Sequence, residues 1–297
     1  MKAMVMGALC AGAAAVAAAQ GVTGSLQLSH DSDAFNEHKE SVGYVGGQGW
    51  GLKAGALQYS SPAWSASGGS LAATYKKDGP EQQVDASLGV AHIGSHSYVV
   101  GALDHMRRVL PHTSLGVSGE RDFVNSQRGI DAGLAYTSLA LVADHAFTDR
   151  FNVGVSAGTA LFSNDNHRPV LRTRWNYALD ERWGLNAYVK TRNYRNSNPY
   201  RPEYFSPGRL GEASLGLSTR FVVADSAVLS ASIDAGRQHV DGEAQPIWSA
   251  KLALASRRGS RVEWATGLEA TNSASLFTTQ AQSYRYVSAF ARVRVPF

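Results

Sequence analysis

The chain has 297 residues, of which 44% are hydrophobic and 18% are charged, and it contains 30 glycines. Many glycines combined with few charges favour a β-sheet protein over a helical one. The formal net charge of +4 does not argue for nucleic-acid binding, and the sequence carries no phosphate-binding loop.

Residues 1–19 have the pattern of a secretory signal peptide. Lys2 supplies the positive charge, an apolar run covers residues 4–16, and the small residues 17–19 form a cleavage site. A membrane anchor is the less favoured alternative, because alanine and glycine make the run short and weakly hydrophobic. A lipoprotein site at Cys10 is weaker still, because a bulky residue precedes it. Cleavage would remove Cys10, the only cysteine, and with it any possible disulfide.

From residue 20 onward, apolar residues recur at every second position. In residues 151–162, Phe151 and Val153 alternate with Asn152 and Gly154, a period of two that is typical of β-strands. Such segments are about ten residues long, the length that a tilted strand needs to cross a bilayer. We predict about 16 strands, with 14 or 18 as alternatives. In chain order, the predicted strands begin near Val22, Ser41, Trp50, Ser65, Gln82, His96, His112, Gly129, Phe151, Arg168, Trp183, Glu212, Ala227, Ile247, Val262 and Ser283.

A soluble β-sandwich or β-helix would show the same alternation, so the connections must distinguish the two classes. Counted back from the C-terminus, long and short links alternate at residues 271–282, 256–261, 239–246, 222–226, 195–211 and 180–182. Outer-membrane barrels have short periplasmic turns and longer extracellular loops. We therefore predict an all-β fold: residues 20–297 form a transmembrane antiparallel β-barrel in the outer membrane of a Gram-negative bacterium.

The polar side of these strands carries charges that lipid would not tolerate. An Arg or Lys facing lipid at the bilayer midplane costs about 2–4 kcal/mol, so these side chains are expected to line a water-filled lumen. They could equally form salt bridges that only stiffen the barrel. The predicted lumen residues are Tyr188, Tyr284, Tyr286, Glu120, Glu212, Asp234, Glu263, Glu269, Arg172, Arg174, Lys190, Arg192, Arg220, Lys251, Arg292 and Arg294.

Aromatic residues near the predicted strand ends fit a membrane protein. Outer-membrane barrels have aromatic girdles at both interfaces, although tryptophans in a soluble core are an equally common explanation. The C-terminal Phe297 resembles the signal that the barrel-assembly machinery reads, while Pro296 is unusual there because it cannot donate to the strand ladder. The tryptophans near strand ends are Trp50, Trp64, Trp183, Trp248 and Trp264.

Two stretches, LFSNDNHRPVLR (161–172) and NSNPYRPEYFSPGRLGEASLGL (196–217), resemble the barrel domain of the porins that export poly-N-acetylglucosamine. They are similar, more distantly, to the barrel of the cellulose export subunit. In the first family a Phe-Ser-Asp-Gly-Asn-Arg-Arg-like turn precedes a strand pair, and a Tyr-Phe-(Ser/Asn)-Pro element opens the next strand. The matching positions are Phe162, Ser163, Asn164, Asp165, Asn166, His167 and Arg168, then Tyr204, Phe205, Ser206 and Pro207.

The resemblance covers roughly residues 115–297 and has departures. Asn164-Asp165 replaces Asp-Gly, and His167 replaces an arginine. Family members usually carry periplasmic tetratricopeptide repeats before the barrel, and no helical repeat is visible here. Either a separate periplasmic repeat protein supplies the docking function for an inner-membrane synthase, or that function is absent.

The resemblance implies a passive conduit for an exopolysaccharide, with no catalysis and no cofactor. The expected partners are the polysaccharide chain, outer-membrane lipid and the barrel-assembly machinery. Lumenal tyrosines would contact sugar rings, acids would form hydrogen bonds, and arginines and lysines would form a facing positive wall. The loop at residues 196–209 would gate the outer mouth or fold into it as a plug.

Other function classes stay open. A general diffusion porin for small solutes would share most features, and a protein-translocating barrel is a further alternative. His30, two residues from Ser32, has the spacing of the Ser-His pair in outer-membrane lipid hydrolases, but the local pattern is incomplete. His92, His96 and His105 are not expected to bind a metal, because they span two predicted strands without a defined ligand set.

Overall fold

The computed structural model describes residues 20–224, 227–257, 259–274 and 284–297. The predicted signal peptide, residues 1–19, lies outside the described residues. The same holds for the strand start predicted near Ser283 and for much of the link predicted at residues 271–282.

The described residues form sixteen antiparallel strands that close into one barrel, which confirms the predicted fold class. Each strand pairs with its neighbours in the chain, and the first strand pairs with the last. The strands are β1 (Gly21–Asp31), β2 (Asn36–Val45), β3 (Trp50–Ser61), β4 (Trp64–Asp78), β5 (Gln82–Ile93), β6 (His96–Leu110), β7 (Thr113–Phe123), β8 (Ala135–Ala146), β9 (Phe151–Phe162), β10 (His167–Asp180), β11 (Leu185–Arg195), β12 (Arg209–Ala224), β13 (Ala227–Val240), β14 (Glu243–Ser256), β15 (Glu263–Thr271) and β16 (Tyr286–Pro296). One short helix, α1 (Gln127–Asp131), lies between β7 and β8.

The seam between β1 and β16 explains how a proline is accommodated near the C-terminus. Pro296 pairs with Gly21 at the end of the ladder, where no donor is required of it. The backbones approach closely there, since a Cβ at Gly21 would lie 2.8 Å from the carbonyl oxygen of Val295. The N–H of Phe297 then donates to the carbonyl oxygen of Gln20 at 2.8 Å.

Large apolar side chains cover the outside of the barrel rather than its interior. Leu141 on β8 is 69% exposed and Leu215 on β12 is 64% exposed, while their chain neighbours Val142 and Ser214 are buried on the inward side. A soluble sandwich would bury the leucine side, because burial of apolar surface is what stabilises it. The exposed apolar surface excludes that alternative and fits contact with lipid.

Aromatic residues ring the end of the barrel that carries the chain termini. Trp50, Trp183, Trp264 and Phe297 are exposed there, and Trp248 is exposed near the opposite end. Trp64 lies at a strand end as predicted, but it does not belong to an aromatic girdle. It points inward, where it stacks on Phe35 with a ring distance of 6.1 Å and donates from Nε1 to Asp131 at 2.7 Å.

The three longest links lie at the end opposite the termini, which we term the loop side. They are residues 124–134, residues 196–208 and the connection between β15 and β16, of which residues 272–274 and 284–285 are described. In outer-membrane barrels the side with the longer loops is extracellular. The predicted strict alternation of link lengths was wrong at residues 239–246. A two-residue turn stands there, with φ of 53° at Asp241 and 97° at Gly242. Such turns match the twist of a hairpin. The predicted short link near residues 256–261 covers residues 257–262.

The strand predicted to begin near Gly129 was also wrong, because α1 occupies that position and β8 begins at Ala135. Ser126 caps α1 by accepting from the N–H of Gly129 at 3.0 Å. Gly133 follows the helix with φ of 65°, and a Cβ there would lie 2.7 Å from Nδ1 of His96. Within the described ranges, no helix is long and apolar enough to cross a membrane.

Glu40 is the one carboxylate on the membrane-facing side of the described strands. It lies in the middle of β2, faces Leu26 and Ala56 on the neighbouring strands, and accepts from Nε2 of His38 at 2.8 Å. Because a membrane-facing carboxylate is destabilising, we expect Glu40→Leu to raise the free energy of unfolding by about 1–2 kcal/mol. Urea unfolding of the barrel in lipid vesicles would measure this.

The matched control is Glu269→Leu, which removes a lumenal carboxylate that pairs with Lys251 at 2.7 Å. This variant should be no more stable than the parent, because it loses an ion pair and gains no contact with lipid. Equal effects of the two substitutions would contradict the assignment of Glu40 to the lipid side.

Candidate functional site

The predicted charged residues lie on the lumen side of their strands, opposite the exposed apolar residues. Many of them are already bound to one another. Asp234 on β13 is buried and accepts three hydrogen bonds: from the Tyr188 hydroxyl at 2.9 Å, Nζ of Lys190 at 2.8 Å and the Ser249 hydroxyl at 2.5 Å. The guanidinium of Arg174 covers the ring of Tyr188 at 3.9 Å. Neither the Asp234 carboxylate nor the covered ring face is open to a ligand in this arrangement.

A second pair joins the wall to the link at residues 272–285. Arg192 on β11 donates to Glu212 on β12 through two bonds of 2.6 and 2.8 Å. Arg192 also donates to the carbonyl oxygen of Ala274 at 2.6 Å, and Glu212 accepts from the Ser273 hydroxyl at 2.5 Å. The pair therefore holds the start of this link against the inner wall, four strands away around the barrel from β15.

Most of the other predicted lumen groups are more open. Lys251 pairs with Glu269 at 2.7 Å, and Arg294 lies 3.6 Å from Glu263. The guanidinium of Arg292 lies over the ring of Phe290 at 5.2 Å. Arg220 is exposed, Glu120, Arg172 and Tyr286 are partly exposed, and Tyr284 is buried. That these groups contact a polysaccharide remains a prediction.

The turn at residues 163–166 and the loop at residues 196–208 form one hydrogen-bonded unit. Asn166 is fully buried, and its Nδ2 donates to Asn196 Oδ1 at 2.9 Å and to the Tyr204 hydroxyl at 3.0 Å. Its Oδ1 accepts from the backbone N–H of Asn198 at 3.0 Å. One amide side chain thus joins the two stretches on which the family resemblance rests.

Arg168 at the start of β10 lies at the centre of this unit. It is buried, and it donates from Nε to Asn196 at 2.8 Å and from Nη2 to the carbonyl oxygen of Phe205 at 2.6 Å. Its guanidinium lies 4.6 Å from the ring centre of Tyr194 and 5.1 Å from that of Phe162. Neutral oxygens and aromatic faces hold this cation, in agreement with the low hydration of a guanidinium.

Tyr204 fixes the loop against the barrel wall. Its ring stacks on Phe162 of β9 with a centre distance of 4.3 Å and an angle of 8°. Its hydroxyl donates to Oδ1 of Asn164 at 3.1 Å. Burial raises the pKa of the Tyr204 hydroxyl, so it stays protonated and able to donate.

The remaining motif residues shape the two segments. Ser206 accepts from the N–H of Arg201 at 2.6 Å, and the carbonyl oxygen of Pro207 accepts from Asn196 at 2.5 Å. Asp165 is exposed in the turn with φ of 63°, a conformation that asparagine, aspartate and glycine adopt readily. The observed Asp165 therefore suits the position where the family pattern has a glycine.

The link at residues 124–134 joins β7 to β8, and it meets the same unit from this neighbouring part of the barrel. The Ser126 hydroxyl donates to the carbonyl oxygen of Glu203, although these residues are 77 positions apart. Asn125 donates to Glu37 on β2, and the Ser61 hydroxyl donates to Gln127 at 2.9 Å. We define residues 124–134, 163–166 and 196–208 together as the plug, because their buried contacts lie inside the loop-side mouth.

A cavity of about 150 Å³ lies beside the plug. Asp104, Glu120 and Arg172 line it together with plug contacts Phe162 and Arg168. A water occupies about 30 Å³ of liquid, so the cavity holds a few waters and no polymer. The plug therefore leaves little free space at this part of the wall.

Sequence reasoning missed the lumenal residues of β2. Glu37 pairs there with Lys39 at 2.8 Å and receives Asn125 of the plug. The signal was present, because Glu37, Lys39 and Ser41 alternate with His38 and Glu40. A predicted strand start at residue 41 excluded them.

The histidines of the alternative hypotheses do not converge. Nδ1 of His30 lies 2.8 Å from Asn36, while the Ser32 hydroxyl accepts from the backbone N–H of Arg285. Each of the other three histidines has a different partner: Ser97 for His92, the Asp131 carbonyl oxygen for His96 and Gln82 for His105. In the part of the chain that the structure describes, no three His, Cys, Asp or Glu residues form a metal-binding group.

No family model and no curated protein sequence matches the chain. A solved structure described as a bacterial polysaccharide outer membrane secretin is similar, with a TM-score of 0.74 at 10% identity, covering 95% of this chain and 99% of that one. CdiB from Escherichia coli gives a TM-score of 0.52 at 11% identity, covering 93% and 63%. OprD from Pseudomonas aeruginosa gives 0.45 at 9% identity, covering 94% of each chain. The chain has the fold of an outer-membrane β-barrel, which confirms the predicted class and location.

Proposed function

We propose that this barrel is a passive conduit that carries an exopolysaccharide, of the poly-N-acetylglucosamine or cellulose type, across the outer membrane. A barrel of sixteen strands is wide enough to enclose an aqueous channel. Its inner wall offers hydroxyl, amide and paired charged groups. A sugar polymer can exchange weak contacts with such groups and still leave, as conduction requires.

The observation that carries the proposal is the plug. The two stretches that resemble the export porins are separated in sequence, yet Asn166 and Arg168 bind Asn196, Tyr204 and Phe205 inside the mouth. The residues of the resemblance thus act on one another at the point where a polymer would leave. The overlap with the polysaccharide secretin over nearly the full length of both chains supports the same function.

The proposal requires the plug to move. Tyr188 and Tyr284 are buried, so their contact with sugar rings would follow displacement of the residues that cover them. Tyr286, Glu120, Glu263 and Glu269 are partly exposed in this arrangement and could form the first contacts. A periplasmic repeat protein and an inner-membrane synthase would feed the polymer into the opposite end.

A gene deletion and a plug lock together test the proposal. Loss of the gene is expected to abolish surface polysaccharide while small-solute uptake stays normal. Complementation with the S126C/E203C variant should restore export only under reducing conditions, because a disulfide between these positions would join the two plug segments that the Ser126–Glu203 hydrogen bond joins. Surface polysaccharide is measured with and without a reductant.

The S126C and E203C single variants are the matched controls, since after cleavage of residues 1–19 with Cys10 each holds one cysteine and can form no internal bridge. They should export equally with and without the reductant. Unchanged surface polysaccharide in the deletion strain would overturn the export function. A fall in small-solute uptake would instead identify a general diffusion porin.

A further inference from the structure

Three arginines form a basic patch on the membrane-facing side of the loop-side barrel end. Arg195 ends β11, Arg209 begins β12, and Arg237 lies near the loop-side end of β13. All three are exposed, and they share strand parity with the membrane-facing Val189, Leu215 and Ile233. They therefore point outward, away from the lumen and the plug.

The register places Arg195 beside Arg209, while Arg237 pairs with Ala213, four residues from Arg209 along β12. Arg195 and Arg209 are direct partners across the β11–β12 ladder. His239, two residues beyond Arg237, pairs with Gly211, which is two residues from Arg209. His239 is exposed as well, so four basic side chains share one face of three neighbouring strands.

The height of this patch is that of the membrane boundary. Tyr177, in the aromatic girdle at the terminus side, pairs with Ala187 on β11. Arg195 lies eight residues further along that strand, which corresponds to about 20 Å across the membrane for a strand tilted by about 40°. The apolar band of such barrels is about 25 Å tall, so the guanidinium groups meet the headgroup layer of the extracellular leaflet.

The described residues provide no ion-pair partner for the arginines of the patch. None of their carboxylates forms an ion pair with these three arginines. The nearest turn carries Asp241, whose carboxylate accepts from the backbone N–H groups of Gly208 and Arg209 at 3.2 and 2.7 Å. Like charges directly opposite one another on a sheet are destabilising, so an anion from the surroundings would stabilise this arrangement.

We propose that Arg195, Arg209 and Arg237 bind the phosphate groups of a phosphorylated glycolipid in the extracellular leaflet. The planar guanidinium suits bidentate binding of phosphate, and phosphate would offset the repulsion between Arg195 and Arg209. Elsewhere near the loop side, Arg121 on β7 faces the membrane alone and donates to Thr137. On β1–β6 the membrane-facing positions nearest the loop side hold no Lys or Arg; they include His30, Asn36, Ser60, Ser65, His92 and Ser97.

Purified barrel in detergent provides the test. Thermal unfolding is followed while bisphosphorylated lipid A, its dephosphorylated form or inorganic phosphate is titrated in. The parent protein should be stabilised by lipid A at concentrations at least about tenfold lower than those needed of the dephosphorylated form. The R195Q/R209Q/R237Q variant should lose this preference.

The control variant is K77Q/R107Q, which removes membrane-facing basic groups near the opposite boundary and should behave like the parent. An unchanged preference in the triple variant overturns the proposal. Equal stabilisation by inorganic phosphate and by lipid A overturns the lipid assignment. If the triple variant fails to fold, the parent protein alone still tests the proposal. Equal stabilisation of the parent by lipid A and by its dephosphorylated form would contradict a phosphate site.

Discussion

Replacing Arg168 with methionine is expected to release the plug and raise the single-channel conductance of the barrel. Methionine keeps an apolar stem between the rings of Tyr194 and Phe162 but donates no hydrogen bonds to Asn196 and Phe205. Hydrogen bonds from a charged donor contribute about 1.5–3 kcal/mol each, so losing two of them should free the loop at residues 196–208. Conductance is measured in planar lipid bilayers.

A second readout follows the loop itself. Chymotrypsin should cleave the Arg168→Met variant after Tyr204 or Phe205, because these buried side chains become accessible when the loop detaches. Arg292→Met is the matched control, since Arg292 is also lumenal but lies over Phe290 on β16. Unchanged conductance together with full protease resistance would show that Arg168 does not hold the plug.

Replacing Arg192 with methionine is expected to lower the free energy of unfolding by about 3–5 kcal/mol. The change removes the guanidinium that binds the Glu212 carboxylate through two hydrogen bonds, and this carboxylate side chain is only 10% exposed. It also removes the donor to the Ala274 carbonyl oxygen, so the link after β15 loses its attachment to β11. Denaturant unfolding in vesicles measures the loss.

Lys76→Met is the control for this prediction. Lys76 lies 3.9 Å from Asp85, and the two side chains are 56% and 68% exposed, so water screens the pair and its loss should cost at most about 1 kcal/mol. Equal decreases in the free energy of unfolding of the two variants would show that the buried Arg192–Glu212 pair stabilises the barrel no more than an exposed pair does.

The plug is relevant to the choice between a general diffusion porin and a polysaccharide exporter. The interior of an outer-membrane barrel is a water-filled channel in porins and is plugged by loops or a helix in other members of the class. The contacts of Asn166, Arg168 and Tyr204 hold the loop closed through hydrogen bonds and ring stacking rather than covalently. Such contacts can be exchanged for contacts with a sugar chain, which offers hydroxyl groups and apolar ring faces.

The sequence by itself determined the barrel and the two faces of its wall. The alternation of apolar and polar residues depends only on what each face of a single strand contacts. It can therefore be recognised in a short stretch of sequence. It located most strand starts, such as Trp50, Gln82, Phe151 and Ala227, and it placed Arg172, Glu212 and Asp234 on the lumen side. The pattern is clear because one face of each strand contacts lipid and the other contacts water, and a charged side chain that faces lipid destabilises the barrel.

The tertiary structure alone decided how the lumen is closed. The bond from Ser126 to Glu203 joins residues 77 positions apart, and the bond from Asn125 to Glu37 joins residues 88 positions apart. No periodicity reports such contacts, because they form only when the closed barrel brings three loops to one mouth. For the same reason the sequence could name Asn166, Arg168 and Tyr204 only through a resemblance, while their mutual contacts required the folded chain.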